Sequence, residues 1–312
     1  MCRNQYVFLR MKLQKYREGM IYLSILRPQH WYKNLLVFLP IIFSLNLLDT
    51  ELFLLSLQGF ILFCLASSGL YIINDLLDFK NDKIHPIKKH RPIASGEINK
   101  KHAFVLALIF LAISIIGSVA LHEIFFLCII LFISSTITYS VVGKNFAFLD
   151  AFLISLNYVL RAIAGGYLLE LQISNWLVVG IFFFALLLCF TKRKNEVVLL
   201  KTDSVSHRKS LEKYSKRVLH WSILVSSSAL LVIYSVYAFL GSFTTNDSRL
   251  IFTIPIALII IITYLRKIQS DEHASKEFHQ ILVGSKLLLS EVIVFVISIL
   301  VLMYLIPSKF FV

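Results

Sequence analysis

Charged residues are scarce in this sequence. Only 16% of its 312 residues carry a charge, whereas soluble domains usually reach about a quarter. Hydrophobic residues account for 58%, and several apolar runs approach or exceed the roughly 18–20 residues that a helix needs to cross a bilayer. This composition excludes an ordinary soluble domain. Because backbone groups cannot stay unpaired in lipid, the long apolar runs predict transmembrane helices.

Features of several other protein classes are also missing. The sequence has no alternation typical of an outer-membrane barrel, and no cleavable signal peptide, second domain or low-complexity segment is evident. Its four cysteines form no CxxC pair, and three of them lie inside apolar runs. We therefore interpret the cysteines as small buried hydrophobic residues and not as a disulfide or zinc framework.

Nine apolar segments follow one another along the chain. They predict an all-α polytopic membrane protein in which residues 35–312 form a nine-helix transmembrane domain. Residues 1–34 are basic and predict a segment that lies on the membrane surface. The predicted spans are Leu35–Leu48, Phe53–Ile73, Ala103–Ala120, Phe125–Val142, Phe148–Leu168, Trp176–Phe190, Val218–Leu240, Leu250–Leu265 and Leu287–Ile306.

The net charge is +13, and the basic residues are distributed as the predicted topology requires. If the N-terminus is cytoplasmic, 28 of the 31 Lys and Arg residues fall in inside segments, as the positive-inside rule requires. The positive charge is thereby explained without a nucleic-acid partner. The pattern predicts an inner-membrane protein with two long cytoplasmic loops, 74–102 and 191–217, where we expect the functional residues.

The first long loop begins with an acidic cluster. Asp75, Asp78 and Asp82 are spaced i, i+3 and i+7, so they share one face if the second span continues as a helix, and Asn74 precedes them. Carboxylates this close repel one another unless a cation lies between them. Mg²⁺ commonly bridges a few carboxylates to substrate phosphates. The cluster predicts a site for Mg²⁺ and a diphosphate; the alternative is a solvated acidic helix end.

Basic residues accompany the acidic cluster in both long loops. In the first loop, Lys88 and Arg91 are suited to binding the phosphate oxygens that a metal leaves uncovered. Ordinary positive-inside charge is the alternative explanation. The second loop begins with Lys192, Arg193 and Glu196, a group with more bases than acids that indicates a phosphate-binding wall.

Arg161 lies within the fifth predicted span, where an arginine in lipid is costly and usually faces a polar cavity or a ligand. Asp150, Asn157 and Arg161 share one helical face. This stripe predicts a ligand-facing surface, and a structural Asp–Arg network is the alternative. Ahead of the first span, Lys33 and Asn34 are typical of an interfacial anchor by composition alone.

Five motifs spread over the chain carry a family resemblance. They are Asn74-Asp75-x-x-Asp78-x-x-x-Asp82, Leu26–Asn34 (LRPQHWYKN), His85-Pro86 with Arg91–Gly96 (RPIASG), Leu160–Gly166 (LRAIAGG) and Lys192–Glu196 (KRKNE). Together they resemble the UbiA superfamily of intramembrane prenyltransferases, over essentially the whole chain. The finer match is to the decaprenyl-phosphate phosphoribosyltransferase branch.

The resemblance implies an Mg²⁺-dependent transferase. In that family branch the donor is 5-phosphoribosyl 1-diphosphate (PRPP) and the acceptor is a polyprenyl phosphate. The implied catalytic residues are Asp75, Asp78 and Arg161, and the implied metal ligands are Asp75, Asp78 and Asp82. The implied substrate-binding residues are Lys33, Asn34, Asn74, Lys88, Arg91, Asn157, Lys192, Arg193 and Glu196.

One departure from the wider superfamily bears on the substrate. Aromatic prenyltransferases that this chain resembles generally carry a second DxxxD motif after the sixth span, where this sequence has Lys-Arg-Lys-Asn-Glu. The sequence therefore favours phosphoribosyl transfer over the alternative, prenyl transfer to an aromatic or other small acceptor. A transporter would need polar residues along several spans, and few are present beyond Arg161 and Asn157.

Overall fold

Eight long helices dominate the structure, a computed structural model that describes residues 21–84, 88–199, 213–245, 249–269 and 278–306. Each is long and apolar enough to cross a membrane, counting the turns that extend the last two. They are α1 (Thr50–Leu77), α2 (Lys100–Leu121), α3 (Glu123–Val141), α4 (Leu149–Leu168), α5 (Asn175–Leu199), α6 (Lys216–Thr245), α7 (Ile254–Gln269, preceded by the 3₁₀ turn Arg249–Thr253) and α8 (Lys286–Leu300, continued by the π turn Val301–Leu305). Shorter helices are Phe79–Ile84, Lys88–His90, Pro92–Ser95, Gly143–Asn145 and Phe278–Gly284.

The first predicted span differs from the expected α-helix. In place of a helix over Leu35–Leu48, the chain forms a 3₁₀ helix, Pro28–Phe38, and a short α-helix, Leu39–Phe43. The count of nine transmembrane α-helices is therefore not confirmed, since the described residues contain eight. Pro40 has no N–H to donate to the carbonyl four residues earlier, which interrupts an α-helical ladder at this point.

This first segment nevertheless runs alongside α1 in the opposite direction. Its start contacts the end of α1 through Arg27 and Asp75, whose atoms approach to 2.6 Å. Further along, the Phe38 ring centroid lies 5.8 Å from that of Phe53, near the start of α1. A 3₁₀ helix rises about 2.0 Å per residue, so the sixteen residues from Pro28 to Phe43 extend about 30 Å. The segment therefore covers most of the length of its neighbour with few residues.

Helix α4 lies at the centre of the bundle. About 72% of its apolar window is buried, against at most 44% for the other spans, and it contacts α1, α3, α5 and the 3₁₀ helix. Gly165 allows the 3₁₀ helix to approach closely, because a Cβ there would lie 2.2 Å from the carbonyl oxygen of Val37. The polar residues of α4 consequently face the interior of the protein and not lipid.

The charged loops gather at one end of the bundle. Lys144, in the turn between α3 and α4, contacts Asp78 just beyond the end of α1. The last turns of α5 reach Tyr139 near the end of α3 and, through the Lys194 ammonium, the carbonyl of Ile268 near the end of α7. Loops that the sequence assigns to the same side of the membrane are thus neighbours in space.

Candidate active site

Four charged side chains form a connected group that we name the first ionic centre: Arg27, Asp75, Asp82 and Arg91. Nη2 of Arg27 donates to both carboxylate oxygens of Asp75, at 2.6 and 2.8 Å. Nη1 of Arg91 donates to Asp75 at 2.9 Å and to Asp82 at 2.6 Å. The two carboxylates therefore converge on one cationic nitrogen. The Arg91 side chain is 27% exposed, so this centre is open to the surroundings.

Asp78 does not join Asp75 and Asp82. Its carboxylate accepts from the Lys144 ammonium at 2.5 Å and from Asn74 Nδ2 at 3.2 Å. The backbone explains the separation, because α1 ends at Leu77, Asp78 caps it, and a new short helix follows. The three aspartates thus do not form the single cluster that an unbroken helix would give. Across the described ranges, no three His, Cys, Asp or Glu side chains are grouped as a protein-only metal centre requires.

The paired carboxylates still fit a magnesium ion that arrives with its substrate. Mg²⁺ is usually held by one or two carboxylates together with substrate phosphates and water. Asp75 and Asp82 supply two hard oxygen ligands that already share one cation, the Arg91 guanidinium. The donor set of the first ionic centre therefore matches a metal–diphosphate complex better than a bare metal ion.

A cavity of about 210 Å³ lies next to the first ionic centre. Tyr71 links the two, since it lines the cavity one turn before Asp75 and its ring centre lies 5.1 Å from the Arg27 guanidinium carbon. Three cationic residues line the cavity, and the described lining includes no Asp or Glu. The cationic residues are Lys33, Arg161 and Lys192, and the polar and aromatic ones include Tyr32, Ser67, Tyr71, Phe132, Thr136, Tyr139, Asn157, Tyr158, Thr191 and Tyr264.

Arg161 is a buried cation that no carboxylate neutralises within the described structure. Its Nε donates to Oδ1 of Asn34 at 2.7 Å, and its Nη1 donates to the Asn157 carbonyl. The guanidinium carbon also lies 4.4 Å from the ring centre of Phe132. A buried charge is costly unless it is paired, so the arrangement favours an anion bound in the cavity.

A second ionic centre is built around Arg193, which is 1% exposed. Its Nε donates to Asp150 at 2.7 Å, Nη1 to Glu196 at 2.6 Å and Nη2 to the Tyr139 hydroxyl at 3.2 Å. The Tyr214 hydroxyl donates to the other oxygen of Asp150 at 2.7 Å. We give the name second ionic centre to these five residues. Burial raises the pKa of the Tyr214 phenol above its usual value.

The predicted site residues divide among these three places. Asp150 pairs with Arg193, so the predicted stripe on α4 brings only Asn157 and Arg161 to the cavity. Lys33 and Lys192 also line the cavity, and Asn34 supports Arg161 from behind. Asn74, Asp75, Asp78, Asp82 and Arg91 lie at or beside the first ionic centre, Arg193 and Glu196 lie in the second, and Lys88 lies in the short turn Lys88–His90. His85, Pro86 and residues 200–212 lie outside the described residues.

Several residues of the site were missed because their spacing gave only weak signals. In the sequence, Arg27 is one of many basic residues that fit the positive-inside pattern, yet in the structure it binds Asp75. Its own backbone is left-handed, with φ of 51°. Lys144 looks like the single charge of a short loop, yet it contacts Asp78. Tyr71 could have been found, since it precedes Asp75 by one helical turn.

The fold and the cavity define a polytopic membrane protein with a cationic interior beside paired carboxylates. The chain belongs to the UbiA prenyltransferase family, which matches residues 37–285. It is 31% identical over 221 residues to the decaprenyl-phosphate phosphoribosyltransferase of Mycolicibacterium smegmatis, covering 70% of each chain. It is 30% identical over 226 residues to the enzyme of the same name from Corynebacterium glutamicum, covering 71% of this chain and 68% of the relative.

A solved structure has the same fold. The UbiA homologue from Archaeoglobus fulgidus bound to GPP and Mg²⁺ superposes with a TM-score of 0.69, covering 91% of this chain and 99% of its own. Its sequence is 18% identical to this chain, so the likeness concerns the fold alone. The family resemblance predicted from the motifs is confirmed, and the protein is a helical membrane transferase of this family.

Proposed function

We propose that this protein transfers 5-phosphoribose from PRPP to a polyprenyl phosphate and releases diphosphate. The product would be a lipid-linked pentose precursor for cell-envelope glycans. Similarity to the two phosphoribosyltransferases supports this reaction. The observation that carries the proposal is the cavity wall, where Lys33, Arg161 and Lys192 meet with no Asp or Glu in the described lining. Such a wall attracts polyanions, and both proposed substrates carry phosphate groups.

The reaction requires one bond exchange at the anomeric carbon. A phosphate oxygen of the lipid forms a bond to C1 of the ribose while the bond from C1 to the diphosphate oxygen breaks, and the electron pair leaves with the diphosphate. The attacking oxygen is already anionic, so no strong general base is needed. Catalysis then depends on aligning the substrates and stabilising the charge of the leaving group.

The first ionic centre is the proposed diphosphate end of the site. Asp75 and Asp82 would hold Mg²⁺, which neutralises a leaving diphosphate when it is bound. Arg91, relieved of its two carboxylates, would then bind a phosphate oxygen. Asp78 stays a predicted ligand, since in this structure its carboxylate faces Lys144.

The cavity is the proposed site of the phosphoribosyl group. Arg161 donates to Asn34 and to the carbonyl of Asn157, so its guanidinium group is oriented before substrate binds. Lys33 and Lys192 approach the cavity from the 3₁₀ helix and from α5. We assign Arg161 to the reacting end of the donor, and the two lysines to its phosphates.

Prenyl transfer to a small acceptor remains the alternative function, because the family contains such enzymes and the A. fulgidus homologue was solved with GPP. The charge of the cavity argues against it here. A second acidic motif after the sixth span would hold another metal ion, but α5 contributes Thr191 and Lys192 to the cavity at this position.

The same charges give the proposed orientation. We assign the inner membrane, a cytoplasmic N-terminus and an active site facing the cytoplasm, because the loops rich in Lys and Arg share one end of the bundle. A Lys88→Cys variant should resist a membrane-impermeant maleimide in sealed cells and react after lysis. Efficient labelling in sealed cells would show that the proposed orientation is wrong.

The reaction is tested by incubating the purified protein with PRPP, Mg²⁺ and a panel of polyprenyl phosphates of different lengths. Mass spectrometry of the lipids should find a mass increase equal to one phosphoribosyl group, with one diphosphate released per product. A chelator should abolish the product. Unchanged lipids under all conditions would contradict the proposal.

A further inference from the structure

Every nitrogen of the Arg193 guanidinium is already engaged by the protein. Asp150, Glu196 and Tyr139 each accept from a different nitrogen, at 2.7, 2.6 and 3.2 Å. The residue is 1% exposed and does not line the cavity. A phosphate could reach this guanidinium only by breaking a buried ion pair with Asp150, which is costly.

The second ionic centre also holds the start of α4. The Tyr214 hydroxyl donates to Asp150 and accepts from the backbone N–H of Phe148, each at 2.7 Å. Phe148 has a positive φ of 66°, a strained conformation for a residue with a bulky side chain. Tyr214 lies just before α6, so one hydroxyl joins the end of the second long loop to the turn before α4.

The second ionic centre borders the cavity through two residues. Lys192 directly precedes Arg193 on α5 and lines the cavity. Tyr139, which accepts from Arg193, lines it as well. Any movement of Arg193 along or around α5 would therefore move a cavity-lining lysine and release a cavity-lining tyrosine.

We infer that Asp150, Arg193 and Tyr214 are positioning residues, which hold Lys192 and Tyr139 at the cavity wall. On this view the phosphate contact of the second loop belongs to Lys192, and Arg193 acts through it. This differs from the sequence-based expectation that Arg193 itself contacts phosphate. The inference rests on the proposed function in one respect, namely that Lys192 binds a phosphate group of the donor.

The test is a double-mutant cycle between Lys192 and Tyr214, read by the binding of PRPP with Mg²⁺ to the purified full chain, without lipid acceptor, in a calorimeter. Lys192→Gln should weaken binding about tenfold, the effect of losing one charge-assisted hydrogen bond. Tyr214→Phe should weaken binding several-fold in the parent protein and add almost nothing in the Lys192→Gln background. Asp150→Asn, an independent variant, should behave in the same way.

A matched control removes a tyrosine hydroxyl elsewhere. Tyr234, on α6, forms a hydrogen bond with Thr253 and does not line the cavity. Tyr234→Phe should leave PRPP binding unchanged. Equal losses from Tyr214→Phe with and without Lys192 would overturn the inference, because a purely structural residue acts independently of Lys192. So would parent-like binding by both Tyr214→Phe and Asp150→Asn.

The binding readout also separates this inference from the proposed reaction. If the parent protein binds PRPP with the expected coupling but forms no phosphoribosylated lipid, the positioning role stands and the proposed reaction is wrong. If it consumes PRPP but the coupling is absent, the reaction stands and the positioning role is wrong.

Discussion

The two ionic centres use the same chemistry in different surroundings. Each pairs arginine with aspartate, but the Arg91 side chain is 27% exposed, whereas Arg193 and Asp150 are 1% and 0% exposed. An arginine at an open centre can exchange its carboxylates for a metal-bound phosphate at modest cost. An arginine in a closed centre cannot, because separating a buried pair leaves an uncompensated charge. The two basic motifs of this protein therefore differ in what their arginines can bind.

We expect the largest effect from a variant that disrupts the second ionic centre. Arg193→Gln leaves Asp150 buried without its cation, which costs about 3–5 kcal/mol of folding stability. For a protein of 312 residues, we expect the melting temperature in detergent to fall by about 5–8 °C. Arg91→Gln, the matched change in the open centre, should shift it far less. Equal shifts for the two variants would remove the distinction between the centres.

The next largest effect is expected on turnover, from a change at the first ionic centre. Asp75→Asn keeps the shape of the side chain but removes a proposed magnesium ligand. Turnover should fall by more than about a hundredfold, because even residues that only support metal ligands cost ten- to hundredfold when they are changed. Near-normal turnover, measured with saturating PRPP and Mg²⁺, would exclude Asp75 as a ligand.

A smaller effect would show whether Arg91 binds a substrate phosphate or only contributes to the positive charge of the inside loops. Arg91→Gln should raise the Michaelis constant for PRPP about tenfold while leaving that for the lipid almost unchanged. Lys89, an exposed basic residue two positions earlier, provides the control. Lys89→Gln should have parent-like kinetics. If both variants behave alike, Arg91 is only one of the inside charges.

The smallest effect concerns Asp78. Lys144→Gln removes its cationic partner, whose ammonium lies 2.5 Å from the Asp78 carboxylate. We expect a two- to fivefold change in the Mg²⁺ concentration that gives half-maximal turnover, measured by magnesium titration. A hundredfold change would indicate that Lys144 contacts substrate directly.

Much of the fold could be predicted from the sequence, because lipid permits few solutions. Eight of the nine predicted spans correspond to long helices, since apolar length alone decides them. The first span could not be predicted correctly in shape. The 3₁₀ helix packs closely against Gly165 through Val37, and a hydropathy pattern does not register such a contact.

The site was predictable where residues lie on one helix and less so where it joins several. Asn157 and Arg161 are one turn apart on α4 and both line the cavity, whereas Asp150 of the same predicted stripe does not; that the stripe faces a ligand stays a prediction. The partners of Asp75 and Arg193 come from residues up to 54 positions away. Such pairings depend on how helices pack, so local spacing could not identify Arg27 or Tyr214.

The central claim is tested most directly by letting two donors compete. One reaction would contain the purified protein, Mg²⁺, PRPP, a prenyl diphosphate, a polyprenyl phosphate and an aromatic acid, with products identified by mass spectrometry. We expect phosphoribosylated lipid and released diphosphate in equal amounts, with no prenylated acid. A prenylated aromatic acid formed while PRPP stays intact would contradict it.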